Sequence, residues 1–186
     1  MMNEQVGRLS RKNSVLVVVD IQEKLLPAIN ERDVVLDNVV RMVRAAQTLQ
    51  VPILVTEQYP RGLGATVATL QELLAGTPTW EKTTFSCFGG NGFSEQVSGL
   101  ARNQLVLVGI ETHICVCQTA LDGLARGYQV QLINEAVGSR TAANKALGIE
   151  RIRAAGGVIS GVEMAIYEWL EEAGGPEFKA ILPLIK

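Results

Sequence analysis

The chain has 186 residues, of which 47% are hydrophobic, and a formal net charge of −2. That length suits one domain with a sizeable core, taken here as residues 1–186 with its body over about 14–170. No lysine- or arginine-rich block and no apolar run near the ~18 residues of a membrane span is present, which argues against nucleic acid and membrane as partners.

The opening stretch, MMNEQVGRLSRKNS, lacks an apolar core, so no signal peptide is expected. Cys87, Cys115 and Cys117 are an odd number without disulfide-framework spacing, and they read as reduced thiols of a cytoplasmic protein. His113 is the single histidine. A histidine-rich metal site within one chain is therefore impossible, and no metal or cofactor is expected.

Ser14–Asp20, SVLVVVD, is near-continuously apolar, the pattern of a strand buried on both faces. Asp33–Gln50 has apolar residues at helical spacing, and Pro52 opens a second strand, PILVTE. Tyr59–Gly64, YPRGLG, reads as a surface loop or lid, followed by a helix over Val67–Leu74. A third strand, TWEKTT, ends near Lys82, and Phe85–Gly92 is a glycine-rich loop. A short helix over Phe93–Arg102 leads to a fourth strand at Leu105–Ile110. Thr112 is the expected N-cap of a helix from His113 to Arg126, with Gly127 at its C-terminal stop. Tyr128–Ile133 is strand five, Asn144–Ala155 a helix, Val158–Ser160 strand six and Val162–Glu172 a last long helix, with a tail helix reaching Leu184.

Alternating strands and helices give a three-layer α/β/α domain on a six-stranded, mainly parallel sheet. With the Rossmann-like order 3-2-1-4-5-6, strands one and four flank the point where strand order reverses, and ligands of such sheets bind beyond the carboxyl ends there. Asp20 ends strand one, Lys82 lies at the end of strand three, and Cys115 opens the helix after strand four. All three fall on one rim. The first helical turn, with its free N–H groups and positive dipole end, favours a thiolate at Cys115. A carboxylate, an amine and a thiol at one place suffice to split a carbonyl bond without histidine. Asp20 would serve as base and acid, Lys82 as electrostatic support and Cys115 as nucleophile, with backbone N–H groups of Glu111 and Cys115 as the oxyanion hole. Gln22, Tyr59, Phe85, Glu111 and Thr112 are the expected pocket residues.

Four stretches carry a resemblance: VVVDIQ at 17–22, VTEQYPRGLG at 55–64, EKTTFSCFG at 81–89 and VGIETHICVCQTALDGLARGYQV at 108–130. With them the chain resembles the isochorismatase-like cysteine hydrolase superfamily, closest to its isochorismatase domain-containing branch. The resemblance implies a six-stranded parallel sheet, an Asp–Lys–Cys triad falling on Asp20, Lys82 and Cys115, and a non-proline cis peptide at Ile110–Glu111. Nicotinamidases of that superfamily bind a metal through an Asp and two His near the second strand. Here Thr56, Glu57, Gln58, Tyr59 and Pro60 occupy that place, so nicotinamidase activity is not expected. The function expected is metal-independent hydrolysis of a small amide, imide or other carbonyl C–N compound through a thioester intermediate, by a homo-oligomer. The alternative is an oligomeric binding or scaffold protein with a vestigial or redox-sensing thiol. The apolar C-terminal helix (Met164, Ile166, Trp169, Leu170) reads as a cover for the sheet before it reads as an interface.

Overall fold

The structure is a computed structural model and describes residues 7–90 and 92–185. Residues 1–6 of the opening stretch, Asn91 of the glycine-rich loop and Lys186 lie outside the described residues.

Six strands form one sheet in which every pairing is parallel: β1 (Ser14–Val19), β2 (Ile53–Gln58), β3 (Thr79–Lys82), β4 (Gln104–Ile110), β5 (Gln129–Gly138) and β6 (Val158–Ser160). Their order is β3-β2-β1-β4-β5-β6, as the alternating pattern predicts. Between them run α1 (Arg32–Thr48), α2 (Pro60–Leu63), α3 (Ala68–Leu73), α4 (Phe93–Gly99), α5 (Cys117–Ala125), α6 (Ala142–Ala154) and α7 (Val162–Leu170), with α8 (Gly175–Ile185) as the tail helix.

The two-residue period of a strand sorts the core. Leu16, Val18, Val106, Val108 and Ile110 point to the layer of α1, α3, α7 and α8, where Val39, Met42, Val43, Leu70, Ile166, Trp169 and Ile181 meet them. Val15, Val17, Val19, Leu105 and Leu107 point the other way, towards Phe93 and Val97 of α4, Ala120 of α5 and Ile152 of α6. β1 and β4 are buried along their whole length, which is why their sequences are apolar without alternation. Each such side chain contributes roughly 1.5–3 kcal/mol by leaving water. On α7, Ile166, Trp169 and Leu170 face this core, while Met164 and Tyr167 stay exposed. The helix covers the sheet with its apolar stripe. No helix among the described residues is long and apolar enough to cross a membrane.

Three local differences from the sequence reading have physical causes. β5 continues to Gly138 because a register shift lets it rejoin β4: Leu107 pairs with Leu132, but Gly109 pairs with Val137. The YPRGLG stretch is a helical turn held from below. Lys24 N–H and Nζ donate to Leu63 O and Gly62 O, and Gln22 Nε2 donates to Gly64 O at 2.7 Å. Finally, the segment after β4 opens as a π turn over Thr112–Val116 before α5 begins at Cys117. Thr112 therefore caps nothing: its hydroxyl is buried without a hydrogen-bond partner, and Glu111 precedes the turn.

Candidate active site

The register of the three central strands brings the site together. Val19 pairs with both Thr56 and Gly109, and Gln58 pairs with Lys82, so the ends of β1, β2, β3 and β4 lie level. Gly109 makes that closeness possible. A Cβ there would stand 2.1 Å from the carbonyl oxygen of Val19, and its φ of +119° is one that side-chain-bearing residues rarely adopt. Asp20 leaves β1 with φ +53°, a left-handed conformation that Asp and Asn tolerate better than other non-glycine residues.

Asp20 is completely buried, and its Oδ2 accepts from Lys82 Nζ at 2.6 Å. Three further oxygens surround Nζ: Gln58 Oε1 at 2.8 Å, Phe85 O at 3.0 Å and Thr84 O at 3.3 Å. An ammonium has three protons to give. Lys82 is thus saturated by the protein and has no donor left for a ligand; it acts on its neighbours. Burial is the largest single influence on Lys82 and would depress its pKa, but the charge of Asp20, the two nearby cysteines and the Asp20 hydrogen bond together outweigh it, so the amine is held above its ordinary value and stays cationic.

Cys115 lies within the π turn, 6% exposed and close enough to Asp20 and Lys82 to feel both charges. Its pKa is raised, first by burial and then by the negative charge of Asp20, with the Asp20 hydrogen bond adding to both; Lys82 opposes but does not reverse this. This corrects the expectation of a thiolate at a helix start. The helix proper begins two residues later, and the desolvated carboxylate beside the sulfur outweighs what the turn's N–H groups offer. Both directions favour a Lys82 ammonium beside a Cys115 thiol. Cys87 lies close by, fully buried, its thiol pushed up to about 11 by burial and then by Asp20.

The other residues singled out in the sequence divide. Tyr59 and Phe85 are each 53% exposed and meet Lys82 through their backbones: Tyr59 N–H donates to Lys82 O, and Phe85 O accepts from Lys82 Nζ. Tyr59 takes φ +38° and lays its ring where a Cβ on Gly62 would fall. Gln22 is buried and fully engaged: its amide donates to Gln58 O and Gly64 O, and its oxygen accepts from Gln58 N–H. It braces α2 against β2. Glu111 follows a cis Ile110–Glu111 peptide, and its carboxylate accepts from Arg140 N–H at 3.0 Å and from Arg140 Nε. Beside it His113 Nδ1 lies 3.0 Å from Ser139 Oγ, so the segment after β5 is tied at two places to the turn that holds Cys115. A cavity of about 410 Å³ opens on the β3 side between Tyr59–Arg61, Glu81–Thr83 and Gly89–Gly90, with Lys82 on its wall.

Sequence reasoning gave no role to Thr56, Gln58 or Thr119. Thr56 Oγ1 donates to Asp20 Oδ1, Gln58 holds Lys82, and Thr119 Oγ1 links Cys115 O to Cys87 N–H. The available signal was polar residues two apart at the carboxyl end of a buried strand, Thr56 and Gln58, which share a face. Gly148 of α6 packs against the same turn. A Cβ there would lie 2.8 Å from Thr112 O and 2.9 Å from His113 Cα. Gly148→Ala is expected to lower the unfolding free energy by about 1–3 kcal/mol, because it pushes helix against backbone. Urea unfolding checks this, and an unchanged midpoint would mean that α6 yields freely.

Against this geometry the chain was compared with known proteins. The profile of the isochorismatase domain matches residues 14–164. The chain belongs to the isochorismatase family. The secreted isochorismatase effector Isc1 of Phytophthora sojae is 39% identical, covering 98% of this chain and 89% of that protein. Isochorismatase domain-containing protein 2 of Danio rerio is 36% identical over 97% of this chain and 90% of that protein. A solved structure described as the MAR1 ribonuclease of Caenorhabditis elegans superposes with a TM-score of 0.90 at 37% identity, covering 96% and 92% of the two chains. These relatives place the chain in the isochorismatase domain-containing branch, as an isochorismatase-like hydrolase.

Proposed function

We propose that this family member is a metal-independent cysteine hydrolase that cleaves a small amide, imide or other carbonyl C–N compound through a thioester on Cys115. The observation that carries the reading is the buried Lys82–Asp20 pair at 2.6 Å at the ends of β1 and β3, with the buried Cys115 thiol in the turn that follows β4 close enough to feel both charges. A buried ion pair of this kind adds little stability for its cost in desolvation, so chemistry is the better account of it.

The proton inventory closes with these groups alone. As Cys115 Sγ attacks the carbonyl carbon, its proton passes to Asp20. The tetrahedral oxyanion is held by the backbone N–H groups of Glu111 and Cys115. When the C–N bond breaks, Asp20 returns the proton to the leaving nitrogen and the acyl group remains on sulfur as a thioester. Water then attacks the thioester carbon and loses its proton to Asp20. The carboxylic acid leaves, and the proton goes back to Cys115. Lys82 stays paired with Asp20 through these steps and balances its charge.

The test is turnover of a panel of primary amides and cyclic imides by wild type and Cys115→Ala. Single-stranded RNA is included because the nematode relative is described as a ribonuclease. Hydrolysis of a panel member by wild type is expected to fall by about three orders of magnitude or more in Cys115→Ala. Equal rates in the two proteins, or cleavage of RNA with no amide or imide turned over, would overturn the reading.

A further inference from the structure

We propose that Thr56 is a positioning residue for Asp20, holding Oδ1 so that the carboxylate meets the Cys115 thiol ionised and in one orientation; this rests on the cysteine-hydrolase reading above. Thr56 is 1% exposed on β2, beside the strand that carries Asp20. It is bonded to Asp20 twice: Asp20 N–H donates to Thr56 O at 3.2 Å, and Thr56 Oγ1 donates to Asp20 Oδ1 at 2.8 Å. Cys87 Sγ lies 3.6 Å from the same hydroxyl. A hydroxyl has one proton, and an ionised carboxylate only accepts. The Thr56 proton therefore goes to Asp20, and the Cys87 thiol is the donor to Thr56.

Lys82 fixes one oxygen of the carboxylate, Oδ2. With that bond alone, the plane of the carboxylate can still tilt about the Oδ2–Nζ contact. The Thr56 bond, from a different strand, removes that freedom. It also favours the charged form over the protonated one, since a neutral hydroxyl donates to it. The charged and titratable groups facing the carboxylate are Lys82 from β3, Cys115 from the π turn and Cys87 from the turn at Cys87–Gly89. Thr56 is the neutral member of this set.

The experiment uses the full chain with p-nitrophenyl acetate, an activated ester that acylates a competent cysteine without any knowledge of the natural substrate. The acetyl adduct is mapped to Cys115 by mass spectrometry. Thr56→Val keeps the β-branched shape and removes the donor. It is expected to lower kcat about tenfold with KM little changed, the loss a hydrogen bond to a charged group carries. It is also expected to move the acid limb of the rate to higher pH, because the carboxylate loses a donor. Thr56→Ser is expected to restore both, and a thermal melt follows the fold of each variant; Thr56→Ala replaces the valine variant if that one does not fold. Wild-type kcat and limb in Thr56→Val, or a slower rate with an unmoved limb and no rescue by serine, would overturn the proposal. Cys115→Ala separates the two readings. If it is inert while Thr56→Val behaves as wild type, Thr56 alone loses its role. If it releases p-nitrophenolate as fast as wild type, the cysteine reading falls and the Thr56 proposal with it.

Discussion

Asp20→Asn is expected to make Cys115 more reactive and the enzyme inactive. The two effects have opposite signs because Asp20 does two things to the same sulfur. Its charge and its hydrogen bond hold the Cys115 thiol above the ordinary value of 9.0, adding to what burial does, while Lys82 pulls the other way. With asparagine the negative charge is gone and the opposing cation remains, so the thiol ionises at lower pH. Alkylation by iodoacetamide follows the thiolate, so its rate near neutral pH is expected to rise about tenfold for each unit by which the titration falls. Turnover moves in reverse. Without a base to take the thiol proton and return it to the leaving nitrogen, hydrolysis is expected to drop by about two to four orders of magnitude. The substitution is mild for the backbone, because asparagine accepts φ +53° as aspartate does and keeps an oxygen for Thr56. The measurement is the pH profile of alkylation mapped to each of the three cysteines beside the hydrolysis rate. A Cys115 profile unmoved in Asp20→Asn would remove Asp20 from contact with the sulfur.

That crossed result also marks where sequence reasoning stopped. The sheet was legible because burial on both faces leaves an unmistakable pattern in SVLVVV and QLVLVGI, and because helices between such strands force them parallel. The rim followed, since strand ends and strand order place Asp20, Lys82 and Cys115 without knowledge of any side-chain contact. What was not legible depends on register and desolvation. Thr56 reaches Asp20 only because it pairs with Val19. Gln22 read as a pocket residue, and it is an internal brace because strand β2 presents Gln58 to it. Thr112 has the composition of an N-cap, yet the chain enters a π turn and buries its hydroxyl. The thiol's titration reverses direction because a neighbouring carboxylate and the loss of water act over the same few ångströms as a helix end, and composition does not show which is closer.

Lys82→Met should have the larger cost in stability, and that cost should be recoverable. Both partners of the Lys82–Asp20 bridge are out of water, with side-chain exposures of 1% and 0%. Removing the cation leaves a carboxylate buried with the Thr56 hydroxyl still donating to it, and Gln58 Oε1 and two backbone carbonyls lose their donor. Breaking such a pair from one side costs about 3–5 kcal/mol, a large part of a domain's total. Asp20→Asn/Lys82→Met removes the orphaned charge as well and is expected to be more stable than Lys82→Met alone, because a neutral amide in that place needs no cation. The gap between Lys82→Met and wild type should also narrow as the pH is lowered, since a protonated carboxyl is likewise neutral. Denaturant unfolding of the four proteins across a pH series reads all of this. If the double variant is no more stable than Lys82→Met, the loss comes from packing and not from charge. Lys82 would then be a structural residue, and the saturation of its ammonium by Asp20, Gln58, Thr84 and Phe85 would be its whole role. If the double variant recovers, the protein is maintaining a buried charge on Asp20 at the expense of stability, which is what a base needed at neutral pH requires.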